Sequence, residues 1–173
     1  RWQGAAAVLV RGAGGWVGVD QRDGEGLGMV RRPSFVPHHF VNGIARVYYD
    51  ALHEAADNPL LNRVIRGGYV PGSTVKPFVG LGGLELGLRT PQDTVLSTGE
   101  FFIPGQSRAY RDDVRGGQGR VALAEAIAKS VTTYFYSLAL DLAIDRFSSF
   151  LRRFGRGRPP RTHLVGRGRG RLP

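Results

Sequence analysis

Hydrophobic positions fall at helical spacing most clearly in the C-terminal half of the chain. Phe135, Leu138, Ala139 and Leu142, then Phe147, Phe150, Leu151 and Phe154, each recur at i, i+3, i+4 and i+7, the stripe of a helix with one buried face. This predicts one long helix from Thr133 to Phe154, stopped by Gly155. An Ala-rich stretch from Val121 to about Lys129 predicts a shorter helix before it. Val75, Val79 and Leu84, with Phe78 and Leu86 nearby, predict another from Ser73 to about Leu88. Pro77 falls in its first turn, where a missing N–H costs little.

Elsewhere the pattern is shorter-ranged. Val17-Gly18-Val19-Asp20 and Leu27-Gly28-Met29-Val30, joined across Asp23-Gly24, read as a hairpin. Glycines at 18, 26 and 28 weaken both strands. Residues 31–72 are punctuated by Pro33, Pro37, Asn42-Gly43, Asn58-Pro59 and Gly67-Gly68, so an irregular segment is expected. One short helix, Tyr48 to Ala56, is expected within it. A long structured loop inside a compact domain is often functional. Residues 89–120 read as loops and short strands, Phe101-Phe102-Ile103 being the most strand-like, ending at Gly116-Gly117-Gln118-Gly119. Residues 1–15 are Gly/Ala-rich without periodicity, and no internal repeat is present.

A chain of 173 residues with 42% hydrophobic content is long enough to bury a core in one compact domain and too apolar for wholesale disorder. No run approaches the roughly 20 apolar residues that span a bilayer. No charged region precedes an apolar stretch at the start, so no signal peptide is expected; Arg1 in place of Met suggests that the chain begins within a longer protein. The absence of Cys excludes disulfides and thiolate metal sites. The net charge of +10 is carried by Arg, since only Lys76 and Lys129 of the 24 basic residues are Lys. Such a surface can bind nucleic acid or anionic lipid. Arg-biased codon usage is the plainer reading, and no nucleic-acid partner is expected.

Ser73-Thr74-Val75-Lys76 carries the candidate chemistry. A serine hydroxyl needs a base within hydrogen-bond reach to become a nucleophile. Residues three apart on a helix share a face, so a Ser at the mouth of a helix meets a Lys one turn in. Burial and the helix N-terminus lower the Lys pKa, leaving a neutral amine able to act as base. Pro71-Gly72 supplies a sharp turn before the Ser. Taken alone the tetrad equally fits an N-capping Ser followed by a surface Lys.

The wider run Arg66-Gly67-Gly68-Tyr69-Val70-Pro71-Gly72-Ser73-Thr74-Val75-Lys76-Pro77-Phe78 resembles the active-site segment of class B penicillin-binding proteins, most closely the elongation type. Arg32-Pro33-Ser34-Phe35, Phe40-Val41-Asn42-Gly43-Ile44 and Asn58-Pro59-Leu60-Leu61-Asn62-Arg63 extend the resemblance upstream. Pro104-Gly105, Tyr110-Arg111-Asp112 and Ile144-Asp145-Arg146-Phe147 extend it downstream. It covers roughly Val17 to Gly157, with a fainter echo to Pro173. Residues 1–157 are therefore expected to be the N-terminal portion of a transpeptidase domain, and 158–173 an Arg/Gly/Pro-rich loop continuation.

The resemblance implies an α+β fold of the penicillin-binding protein and serine β-lactamase type, with helices packed on an antiparallel sheet, incomplete on its C-terminal side. Missing strands would expose edges and apolar faces, so poor stability and aggregation are expected. It implies that Ser73 attacks the penultimate D-Ala carbonyl of a peptidoglycan stem peptide, with Lys76 as base, and that β-lactams acylate the same serine. The family's second motif, Ser-x-Asn or Ser-x-Asp, aligns with Ser130-Val131-Thr132. Ser130 is then a proton relay, though a cap between two helices also fits it. Thr132, assigned with Gly72 to substrate binding, departs from the pattern: its hydroxyl donates and accepts but lacks the reach of an amide or carboxylate. A Lys-Thr-Gly motif is absent. Some relatives hold a metal near the second motif partly through His; here that position is Gln118, and His38, His39, His53 and His163 lack ligand spacing, so no metal and no cofactor is expected. Asp112 and Asp113 read as solvated loop acids. Partners implied for the intact protein are a glycosyltransferase of the shape, elongation, division and sporulation type and other elongation-complex proteins, at the periplasmic face of the inner membrane. A serine β-lactamase-like hydrolase, or a non-catalytic fragment with a basic tail, are the competing readings.

Overall fold

The computed structural model describes residues 12–159, 166 and 168–172. Arg161, His163 and Arg167 of the basic tail, and residues 1–11 of the Gly/Ala-rich start, lie outside the described residues. The chain divides into two compact units, one running up to Tyr69 and including the 158–170 segment, the other Val70–Gly157 with the 171–173 end.

In the first unit β1 (Gly14–Val19) pairs antiparallel with β2 (Gly26–Arg32), Trp16 opposite Val30 and Gly18 opposite Gly28. The expected hairpin is thus present, with a register shift between Gly18 and Val19. Short helices α1 (His38–Val41), α2 (Arg46–Glu54) and α3 (Arg63–Arg66) interrupt the segment read as irregular. Arg63 holds this unit together. Its buried guanidinium donates to Arg32 O at 2.7 Å, to Asn58 O at 3.2 Å and to Asp57 O. The guanidinium thereby ties the end of β2 to the Asp57-Asn58 loop, which is how a Pro-rich segment keeps one shape.

In the second unit, too, helices meet strands. A 3-10 turn, Gly72–Val75, leads into α4 (Lys76–Glu85). Strands β3 (Val95–Ser97), β4 (Glu100–Phe102), β5 (Ala109–Arg111) and β6 (Gly119–Val121) form two antiparallel pairs, β3 with β6 and β4 with β5. Helices α5 (Leu123–Ala128), α6 (Thr132–Leu142) and α7 (Ile144–Arg153) follow. The core gathers Val79, Val121, Leu123, Ala126, Val131, Tyr134, Phe135, Leu138 and Leu142. The α+β class is as expected, but among the described residues the strands form three separate two-stranded pairs and not one broad sheet.

α4 can lie deep in this core because its inward face is glycine. A Cβ at Gly83 would stand 2.7 Å from Leu138 Cδ1, and one at Gly80 2.9 Å from Leu123 Cδ1. Larger residues would force α4 away from α5 and α6 and move Lys76 with it.

The single helix expected over Thr133–Phe154 is two helices, broken at Ala143 with φ 56° and ψ 154°. At about 100° per residue, the stripe centred near Phe150 would be turned about 120° from the stripe centred near Leu138. The break turns Phe150 and Leu151 back inward, where both are buried. Phe150 then lies against the Gly82 face of α4. Helical spacing alone detected both stripes and could not detect that they share a target.

Candidate active site

Gly72 opens the site-bearing segment with φ +57°, and nothing lies within 4 Å of a Cβ placed there. Its requirement is therefore conformational: a left-handed turn that residues with side chains adopt at a cost. The turn presents Ser73 at the surface, and Lys76, at the start of α4, points inward and is buried.

The second strand of the site comes from the α5–α6 junction. Lys129 ends α5, Ser130 takes φ 55°, and the Ser130 and Val131 N–H groups bond back to Ile127 O (3.2 Å) and Ala126 O (2.9 Å). This is a Schellman closure, whose left-handed position is usually Gly. Here a serine accepts the strain, and its hydroxyl is delivered to the surface serine: Ser130 Oγ donates to Ser73 Oγ at 3.0 Å.

Lys76 Nζ donates to Ser130 O at 2.6 Å, Ser130 Oγ at 3.0 Å and Thr132 Oγ1 at 3.1 Å. Three hydrogens meet three acceptors, all from the second segment. The hydrogen-bonded route from Lys76 to Ser73 runs through Ser130 Oγ, a bridge that Ser-x-x-Lys spacing does not reveal. Thr132, despite its shorter side chain, reaches the lysine, because the left-handed turn at Ser130 folds the chain back over it. Burial pushes the Lys76 pKa below its ordinary value, and the charges of Asp113 and Asp112 offset part of that. Such a lysine sheds its proton more readily than an exposed one.

The paired acids are not both solvated. Asp113 is exposed, but Asp112 is buried. Asp112 Oδ1 accepts from Thr133 N at 2.7 Å; Oδ2 accepts from Ser97 Oγ at 2.7 Å and from Thr133 Oγ1. Burial alone would raise the Asp112 pKa; hydrogen bonds from Thr133, Ser97 and Thr132 outweigh it and hold the carboxyl below its ordinary value. Ser97, Asp112 and Thr133 come from three separate stretches, and no spacing rule joins them. In the sequence, the Tyr110-Arg111-Asp112 run of the family resemblance falls on this cluster but does not join its members.

The same cluster decides the fit of a metal. At Gln118 it is the backbone N–H that faces Ser97 Oγ, at 3.1 Å. Asp112 is surrounded by hydroxyl and amide donors, a set that does not suit a cation. Among the described residues no group of three or more His, Cys, Asp or Glu is placed to hold one.

Residues 14–173 match the family described as the penicillin binding protein transpeptidase domain, and the chain belongs to that family. Its relatives point to one branch of it. The chain is 38% identical over 169 residues to the peptidoglycan D,D-transpeptidase MrdA of Acinetobacter baumannii, covering 98% of this chain and 25% of that protein. The structure of Pseudomonas aeruginosa PBP2 in complex with WCK 5153 superposes with a TM-score of 0.85 at 41% identity, over 99% of this chain and 39% of the other. PBP2 from Helicobacter pylori, solved in complex with MreC, superposes at 0.87 and 31% identity, over 98% of this chain and 32% of the other. The chain thus spans about a quarter of the length of the curated relative.

Proposed function

We propose that this chain is the nucleophile-bearing portion of a peptidoglycan D,D-transpeptidase of the elongation type. The observation that carries the reading is the connected array Ser73 Oγ, Ser130 Oγ and Lys76 Nζ, with 3.0 Å at each link. Ser73 Oγ attacks the penultimate D-Ala carbonyl carbon, and its proton passes through the Ser130 hydroxyl to the neutral Lys76 amine. As the C–N bond breaks, the proton returns through Ser130 to the departing D-Ala nitrogen. The amine of a neighbouring stem peptide then attacks the acyl-serine, restoring Ser73 and forming the crosslink. Thr132 holds the lysine head in place, and Gly72 sets the turn that aims Ser73 at the carbonyl.

For the whole protein the reading extends to the periplasmic face of the inner membrane, alongside a glycan-polymerising partner. Among the described residues no helix is long and apolar enough to cross a membrane. The complex of a relative with MreC supports an elongation-complex setting.

The test is labelling with a fluorescent penicillin followed by intact mass. The parent chain should carry a long-lived adduct of one β-lactam that Ser73→Ala lacks. No adduct on a folded chain would overturn the reading for this chain, and rapid hydrolysis of the adduct would favour a β-lactamase-like hydrolase.

A further inference from the structure

We propose that Asp112 is a positioning residue of this site: it clamps the start of α6 through Thr133 and so holds Ser130 and Thr132 against Lys76. The proposal rests on the reading that Ser73, Ser130 and Lys76 form the reacting array.

α6 has no side-chain cap of its own; Val131 stands at its N-cap position. The first N–H groups of a helix need partners, and a carboxylate is the strongest one available there. Asp112 supplies it from outside, accepting Thr133 N at 2.7 Å and the Thr133 hydroxyl as well. The carboxylate is itself anchored. Asp112 N donates to Gly99 O at 2.9 Å, Ser97 Oγ donates to Oδ2 at 2.7 Å, and Gln118 N donates to Ser97 Oγ at 3.1 Å. The β3 end, the Gly-rich turn and α6 are thereby tied at one buried point.

What this point restrains is a strained segment. Ser130 holds φ 55°, and a non-glycine residue keeps such a conformation only where its surroundings over-determine it. On one side Val131 is buried in the core; two residues further along, Thr133 is fixed to Asp112. Ser130 and Thr132, on either side of Val131, carry the three acceptors of Lys76. Loosening the Thr133 end frees the segment to relax away from the lysine.

A role for Asp112 as a charge near Lys76 predicts differently, and Asp113 serves as the control. Both carboxylates act on Lys76 electrostatically, but Asp112 alone carries the hydrogen bonds to Thr133. The chain has two lysines, so selective isotopic labelling gives two NMR signals, and Lys76 is identified by its loss in Lys76→Arg. The experiment titrates that signal, and measures the rate of acylation by fluorescent penicillin, in the parent, Asp112→Asn and Asp113→Asn. Asp113→Asn should move the Lys76 midpoint down and leave acylation within about twofold. Asp112→Asn should move the midpoint up, because the loosened segment lets water reach the amine and relieves the burial that holds its pKa down, and slow acylation at least about tenfold. A downward shift in both variants, or unchanged acylation in Asp112→Asn, overturns the proposal. If Asp112→Asn does not fold, Thr133→Val and Thr133→Ser decide: the Val variant should raise the midpoint and the Ser variant restore it, whereas a parent-like Val variant overturns the proposal. A parent that folds but is not acylated refutes the proposed function of this chain, and the Lys76 midpoints still settle the role of Asp112.

Discussion

Ser130 Oγ stands 3.0 Å from Ser73 Oγ while the Ser130 backbone is held in the left-handed region, at φ 55°. The hydroxyl and the backbone make opposite demands, since the turn prefers glycine and the array needs an oxygen. Ser130→Gly should therefore separate them. Acylation by penicillin is expected to fall about a hundredfold or more as the relay is lost, while stability holds or rises by about 0.5–1 kcal/mol. Stopped-flow labelling and thermal unfolding measure the two effects, and parent-like labelling would remove Ser130 from the mechanism.

Lys76 gives a pH signature. Burial disfavours its charged form more than Asp113 and Asp112 favour it, so its pKa lies below 10.5. The acylation rate should rise with pH and level off below that value. Lys76→Arg should be inactive throughout, because a guanidinium keeps its proton. The stability sign follows the same shift. Between the lowered value and 10.5 the unfolded chain binds more protons than the folded one, so this lysine's contribution to stability rises with pH across that window. A rate profile that is flat up to pH 10 would contradict the assignment.

Asp112 should make the fold acid-sensitive. Its carboxyl is held below the ordinary 3.8, so its contribution is fully present above that value and lost as pH falls through the lowered one. Asp112→Ala is expected to cost about 3 kcal/mol at pH 7, the scale of hydrogen bonds to a buried charged group. Urea unfolding across the acid limb should show the gap between parent and variant closing. A gap that persists unchanged would mean that the carboxylate is not the stabilising species.

The glycine face of α4 can be tested by overfilling it. Gly83→Ala places a Cβ 2.7 and 2.8 Å from the two δ-carbons of Leu138, itself 1% exposed and unable to swing out. Helix propensity favours Ala by about 1 kcal/mol, yet overpacking of this kind costs about 1–3 kcal/mol. Net destabilisation and slower acylation are expected, because Lys76 rides on the same helix. Gly82→Ala, whose nearest contact is Phe150 at 3.3 Å, should be close to neutral. Chemical denaturation of the two variants distinguishes them.

Local chemistry made much of this protein legible in its residues. The hairpin, the helix after Ser73, the helix before Ser130 and the family-like run around Ser73-Thr74-Val75-Lys76 all depend on neighbours within a few positions. Turn residues, apolar periodicity and the sterics of Gly and Pro act at that range. What the tertiary structure decided lies at longer separation. The break at Ala143 arises because two apolar stripes must face one core, a demand that exists only once α4 is in place. The bridge through Ser130 depends on a left-handed serine meeting a turn 57 residues earlier. Asp112 looked like one of two solvated acids until burial beside Ser97 and Thr133 separated it from Asp113. Pattern along a chain reports which faces are apolar and which groups are reactive, but not which polar groups lose water together. That is settled by packing, and it is packing that places a buried lysine, a strained serine and an anchored carboxylate within reach of one another.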